Sequence, residues 1–169
     1  MNGLTCFPKH EIMQGQIKDS QTTMNPSGTG ELNRDIQIAK SEAEIRKWFI
    51  GLAIECNNEN PITPEDMTLL HEHKIPDNEN AKCLLACVYR KANWINDKGM
   101  FDIEAANAMV EKEHTDEPAK IDNSKKLFQL CKKVDDEPVT DGEKGCQRAA
   151  LLTTCMTENA PKFGIPLIM

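Results

Sequence analysis

Six of the seven cysteines constrain the fold of this chain more than any other feature of the sequence. They are Cys56, Cys83, Cys87, Cys131, Cys146 and Cys155, and the segments between them contain 26, 3, 43, 14 and 8 residues. An even number of cysteines, spread one or two per predicted helix, is typical of disulfides between helices in an extracellular protein. Zinc sites usually have a close pair of cysteines at both ends, whereas only Cys83 and Cys87 are close here. We therefore expect disulfides rather than a metal site.

Cys83 and Cys87 lie four positions apart in a predicted helix, so their side chains point in the same direction. Parallel side chains disfavour a disulfide between the two, and each is expected to bond to a different helix. The helix that carries them is then cross-linked to two others. The residues alone leave the pairing of the six cysteines open.

Apolar residues recur at helical spacing from about residue 35 onward. In the first predicted helix, Ser41 and Glu44 have the spacing of a capping box, and Asn57 to Pro61 ends the helix. A second helix begins at Thr63, which is followed by a proline at the tolerated first position, and stops before Pro76.

Four more helices follow in the second half of the sequence. The third is predicted over residues 79–95, and a fourth begins at Asp102. The fifth covers about residues 119–134, and the sixth begins at Asp141 and ends at Ala160–Pro161. Since few aromatic residues and few β-branched runs are present, no segment is predicted as a strand. The sequence predicts an all-α fold.

Charge and hydropathy exclude several classes of function. The formal net charge is −7, and no basic stripe interrupts the acidic surface, which argues against nucleic acid and anionic lipid as partners. No apolar run approaches the ~20 residues that a membrane-spanning helix needs. The sequence shows no Gly-rich phosphate loop, Ser-centred elbow or paired-carboxylate signature, so we expect neither an enzyme nor a bound cofactor.

The first 34 residues differ in composition from the rest. Residues 1–34 are polar, and we expect a flexible N-terminal extension followed by one helical domain over residues 35–169. The start of the chain has no apolar run of the kind found in signal peptides. Because the cysteine pattern is that of a secreted protein, we nevertheless expect an extracellular location. Cys6 is the odd cysteine, available for pairing between two chains in a homodimer or as a free thiol.

The spacing Cys-x26-Cys-x3-Cys-x43-Cys-x14-Cys-x8-Cys resembles that of insect odorant-binding proteins of the six-cysteine group, the pheromone and general odorant-binding proteins. The x3 and x8 segments carry the resemblance most strongly, and the 14-residue segment is long for that family. The segments Lys82–Cys87, Gly99–Asp102 and Cys155–Pro161 also match. The resemblance covers about residues 41–169.

This resemblance implies a pairing, a fold and a function. The family joins its cysteines one to three, two to five and four to six, which gives Cys56–Cys87, Cys83–Cys146 and Cys131–Cys155. It implies a six-helix, disulfide-linked bundle around an apolar cavity. The implied function is extracellular binding and transport of odorants, pheromones or fatty-acid-like compounds to chemosensory receptors, a membrane odorant receptor among them. The cavity walls are expected to include Trp48, Phe49, Leu52, Leu84, Val88, Trp94, Met109, Leu127, Leu152, Met156, Phe163 and Leu167.

Three further features belong to this hypothesis. The apolar tail, residues 163–169, is expected to fold back over the bundle as a wall or lid. His71 and His73 are candidates for a pH gate, because histidine titrates in the range in which related carriers are thought to release ligand. Tyr89, Thr153 or Thr154 are expected to supply one or two polar contacts to a ligand.

Two other functions remain open from the sequence. The same scaffold with a filled core would suit a secreted structural or interaction protein of body, venom or reproductive fluid, and a non-olfactory carrier would use the same cavity. A redox or metal protein built on Cys83-x3-Cys87 is the third alternative. Uptake of an apolar dye and a thiol count on unreduced protein distinguish these functions.

Overall fold

The structure, a computed structural model, describes residues 40–167, and within that range it contains six α-helices and no β-strand. They are α1 (Glu42–Asn57), α2 (Pro64–His71), α3 (Glu79–Lys91), α4 (Ile103–Glu113), α5 (Pro118–Cys131) and α6 (Cys146–Asn159). Short 3-10 helices cover Lys132–Asp136, Gly142–Lys144 and Ala160–Phe163. The predicted all-α fold is confirmed. The expectations for the extension over residues 1–34, for Cys6 and for a domain boundary near residue 35 lie outside the described residues.

The predicted helix starts are correct where capping is local. The Ser41 hydroxyl accepts the backbone N–H of Glu44 at 3.3 Å, and the Glu44 carboxylate accepts the backbone N–H of Ser41 at 2.8 Å. Thr63 and Asp66 make the same reciprocal pair at 3.1 and 3.0 Å. At the start of α4, the Asp102 carboxylate accepts from Ala105 N–H at 3.0 Å. Each cap satisfies backbone donors that a helix leaves without a partner in its first turn.

Three predicted helix boundaries are wrong. Helix α3 ends at Lys91 rather than at residue 95, because Asn93 adopts a φ of 60° and the chain turns there. Helix α5 ends at Cys131, and a 3-10 helix continues the chain beyond the predicted end at residue 134. Helix α6 begins at Cys146 rather than at Asp141.

The late start of α6 has a tertiary cause. Gly145 precedes the helix with a φ of 68°, and a Cβ at that position would come within 3.1 Å of the Gly99 Cα. Gly99 has a φ of 72°, and a Cβ there would come within 2.6 Å of the Gly142 carbonyl oxygen. The two turns therefore approach so closely that both positions require glycine.

Three disulfides connect the helices of the described region: Cys56–Cys87 (α1 to α3), Cys83–Cys146 (α3 to α6) and Cys131–Cys155 (α5 to α6). The pairing that the family resemblance implies is therefore present. Cys83 and Cys87 bond to different helices, as their shared helix face predicts. Helix α3 also packs against α1 and α6, whereas α4 packs against α5.

A cluster of aromatic side chains forms the centre of the core. The Trp94 ring stacks on Tyr89, with ring centroids 5.7 Å apart, and meets Phe49 and Phe128 edge-on at 5.8 and 5.2 Å. Such edge-to-face and offset pairs stabilise the core beyond the area that they bury. All four side chains also face a cavity, so the core and the candidate site share a wall.

Candidate functional site: an apolar cavity

A cavity of about 480 Å³ lies between the helices. All six helices line it, together with the segment Ile165–Leu167 that follows the last 3-10 helix. Most of its lining side chains are apolar, which is typical of a site for a small organic molecule. An unfilled volume of this size lowers the free energy of unfolding by on the order of 10 kcal/mol. Three disulfides of ~3–4 kcal/mol each offset a cost of that order.

Eight of the twelve predicted wall residues line the cavity. They come from α1, α3, α4, α5, α6, the turn after α3 and the C-terminal segment: Phe49, Leu84, Val88, Met109, Leu127, Met156, Trp94 and Leu167. The structure thus brings together residues that are more than a hundred positions apart in the sequence. Their role in binding a ligand stays a prediction.

The other four predicted wall residues do not face the cavity. Trp48 and Leu52 lie on another side of α1, where they line a shallow depression with Lys47 and Glu55. The prediction places Trp48, Phe49 and Leu52 of α1 at the cavity, but the helix is rotated so that Phe49 and Ala53 face it and Trp48 and Leu52 do not.

Leu152 and Phe163 depart from the prediction for two different reasons. Leu152 is completely buried in the core and is not among the residues that line the cavity. Phe163 packs on the core from the 3-10 helix Ala160–Phe163, and the residues after it form the wall instead.

Three apolar residues at the edge of the cavity are not among the predicted wall residues. Ile50, Ile54 and Met67 line it and yet are 51%, 66% and 50% exposed. Leu70, one helical turn after Met67, completes the contribution of α2. The i, i+4 spacing of the two isoleucines and the i, i+3 spacing of Met67 and Leu70 indicate in the sequence that each pair shares one helix face.

One polar pair lies in the apolar wall. The Tyr89 hydroxyl and the Thr153 hydroxyl are 3.0 Å apart, and both side chains are buried. Burial raises the pKa of Tyr89 to about 12, so the phenol stays protonated at physiological pH. Thr154, the third polar residue expected to contact a ligand, is exposed and does not line the cavity.

Charged residues form another part of the wall. Glu42 from the start of α1 accepts a hydrogen bond from Lys120 Nζ at 2.6 Å, and this bond lowers the pKa of the Glu42 carboxyl. Glu113 at the end of α4 is buried and pairs with Lys40 Nζ at 3.0 Å. His114, also buried, has its Nδ1 3.2 Å from the Glu117 carboxylate. The first pair ties α1 to α5, and the second ties the residue Lys40 before α1 to α4, at a place where the described disulfides form no link.

The candidate pH gate and the tail both reach the cavity. His71, at the end of α2, and His73 line it and are exposed to solvent. Ile165 and Leu167 line it too, and Arg46 Nη2 donates a hydrogen bond to the Leu167 carbonyl at 3.2 Å. The described part of the tail therefore forms a wall. Its action as a lid remains a prediction.

One cluster within residues 40–167 has the arrangement of metal ligands, and it consists of Glu79, Cys83 and Cys146. The two sulfurs are joined in a disulfide, which removes both thiolates. Because Cys87 is bonded to Cys56, the alternative of a redox or metal site on Cys83-x3-Cys87 does not agree with the structure. No helix within the same residues has the length and hydropathy to span a membrane.

Comparisons with known proteins agree with this geometry. Residues 38–159 match the model of the PBP/GOBP family. General odorant-binding protein 19d of Drosophila melanogaster is 30% identical over 130 residues, which cover 76% of this chain and 83% of that protein.

Two solved structures share the fold. Odorant-binding protein dmelOBP28a from Drosophila melanogaster superposes with a TM-score of 0.58 at 23% identity, over 75% of this chain and 100% of that one. Odorant-binding protein 4 of the predator Chrysopa pallens gives a TM-score of 0.58 at 18% identity, over 75% and 99% of the two chains. At these identities the two structures support the fold alone.

Proposed function

The chain belongs to the PBP/GOBP family, and from this premise we propose that it binds small hydrophobic molecules in the cavity and carries them through extracellular fluid to chemosensory receptors. The observation that carries the proposal is the cavity of about 480 Å³ with its apolar walls. A volume of this size accommodates a molecule such as a medium-chain alcohol, aldehyde or ester. Burial of the ligand's apolar surface drives binding, at roughly 25 cal/mol per Å² before the costs of association.

A carrier role fits the way in which the fold is stabilised. Disulfides persist in oxidising, extracellular compartments, and all six cysteines of the described region are paired. The family is one of binding proteins, and we propose a carrier rather than an enzyme. The cavity argues against a structural protein with a filled core. A carrier in another body fluid would share the same cavity, and the tissue in which the chain is secreted distinguishes it from an olfactory one.

The proposal is tested by titration with the fluorescent apolar dye N-phenyl-1-naphthylamine. We expect saturable binding of one dye per chain, with displacement by medium-chain alcohols or esters. Ala53→Trp places an indole in the cavity from α1 and should weaken dye binding at least about tenfold. Ala108→Trp, on an exposed position of α4 outside the cavity, is the matched control and should bind as the unmodified protein does. Equal dye binding by both variants, or none by the unmodified protein, contradicts the proposal.

A further inference from the structure

The polar pair in the cavity wall has a fixed direction of hydrogen bonding. Thr153 Oγ1 lies 2.8 Å from the Ala149 carbonyl oxygen, which can only accept, so the single hydroxyl hydrogen of Thr153 is used there. The hydrogen between Thr153 and Tyr89, whose oxygens are 3.0 Å apart, must then come from the tyrosine. Tyr89 is thus the donor and Thr153 the acceptor.

This assignment leaves the Tyr89 oxygen as an acceptor only. The phenol has one hydrogen and spare lone pairs, and its hydrogen is directed at Thr153. Since burial keeps the phenol protonated at physiological pH, the Tyr89 oxygen carries no negative charge and its hydrogen stays directed at Thr153. Tyr89 is 2% exposed, and among the described residues its hydroxyl bonds to Thr153 alone. A ligand group that meets this oxygen is favoured if it donates a hydrogen bond.

We propose that the cavity selects ligands with a hydroxyl group over aldehydes and ethers of the same chain length, through donation of the ligand hydrogen to the Tyr89 oxygen. This inference rests on the proposed function and names the ligand class. An aldehyde or an ether offers acceptors only, and its oxygen would face the Tyr89 oxygen without a hydrogen between them. A buried polar group without a hydrogen-bond partner costs more free energy than a formed hydrogen bond contributes, so the difference in affinity between alcohol and aldehyde is measurable. We expect the alcohol to bind about 3- to 10-fold more tightly.

The experiment compares 1-decanol, decanal and decyl methyl ether as displacers of N-phenyl-1-naphthylamine from the full-length protein. Thr153→Val keeps the shape of the side chain but removes the acceptor for the Tyr89 hydrogen. The freed phenol then donates to an aldehyde, and the ratio of alcohol to aldehyde affinity should fall to about 1 or below. Tyr89→Phe removes the acceptor that the alcohol uses and should also lower the ratio.

Thr154→Val is the matched control. Thr154 neighbours Thr153 in α6 and donates to the carbonyl four residues earlier in the same way, at 3.0 Å from Ala150, but it is exposed and lies outside the cavity. The ratio should stay as in the unmodified protein. Equal affinities for alcohol and aldehyde in the unmodified protein, or an unchanged ratio in Thr153→Val, overturn the inference while dye binding still supports the carrier. If the dye does not bind, the proposed function fails and the inference with it.

Discussion

Helices α2 and α3 line the same cavity, but the fold holds them in different ways. Within Pro64–His71 no side chain is buried, whereas α3 buries Ala81, Leu84, Leu85, Ala86, Val88 and Tyr89. Helix α3 is also joined to α1 and α6 by disulfides. Helix α2 is connected to its surroundings by the bond from Asn78 Nδ2 to Asp66 Oδ1 at 2.8 Å and by the partly buried Leu70, which packs against the core.

This difference separates a fixed wall from a movable one. Elements with few buried apolar contacts open at low free energy, whereas core elements open only with the whole fold. We therefore expect α3 to keep its place while a ligand enters or leaves, and α2 to move. The C-terminal segment resembles α2 in this respect, because Ile165 and Leu167 are half-buried at the cavity.

Removal of the Cys83–Cys146 disulfide should have the largest effect on this comparison. The bridge closes a sequence separation of 63 residues, and its loss is expected to lower the free energy of unfolding by about 4 kcal/mol. Urea denaturation of Cys83→Ala/Cys146→Ala measures this. The control is Thr63→Ala, which removes the cap of α2 and should cost only about 1 kcal/mol. A smaller loss for the disulfide variant than for the cap variant would contradict the assignment of α3 as the fixed wall.

Truncation of one leucine in each helix sharpens the comparison. Leu85→Ala in α3, where the side chain is 2% exposed, should destabilise the protein by about 3 kcal/mol. Leu70→Ala in α2, where the side chain is half-buried, should cost under about 1.5 kcal/mol and should speed dye release instead. Chemical denaturation and stopped-flow displacement give the two quantities. Equal destabilisation and equal dye release rates in the two variants would contradict the distinction between a fixed α3 and a movable α2.

The smallest expected effect concerns pH. His71 and His73 lie on the movable side of the cavity, and the hypothesis of a pH gate there predicts dye binding a few-fold weaker at pH 5 than at pH 7. Substitution of both histidines by glutamine should abolish the difference. His114 serves as the control histidine, because it also lines the cavity but is buried and bonded to Glu117. A pH effect that survives His71→Gln/His73→Gln and disappears in His114→Gln would assign the gate to His114, which follows α4.

The helix starts that can be predicted from the sequence are those with a local cause. The starts of α1, α2 and α4 follow from Ser41, Thr63 and Asp102, whose side chains bond to the backbone three residues away. The start of α6 was missed because it depends on the approach of Gly145 to Gly99, which are distant in the sequence.

The cavity walls show the same limit. Helical spacing identified the apolar face of α1, but the rotation of that helix decides that Phe49 faces the cavity and Trp48 does not. Helix α2 was predicted as a helix and not as a wall, since Met67 and Leu70 gain their role only from the packing of the whole bundle.

Hydrogen exchange measured with and without 1-decanol tests the central claim most directly, because it follows α2 and α3 in one experiment. In the ligand-free protein the amides of α2 should exchange at least about tenfold faster than those of α3. Ligand should slow exchange in α2 and in Ile165–Leu167 directly, and in α3 only through the added stability of the whole fold. Equal exchange of the two helices without ligand, or protection confined to α3 with ligand, would contradict the account of a fixed wall and a movable one.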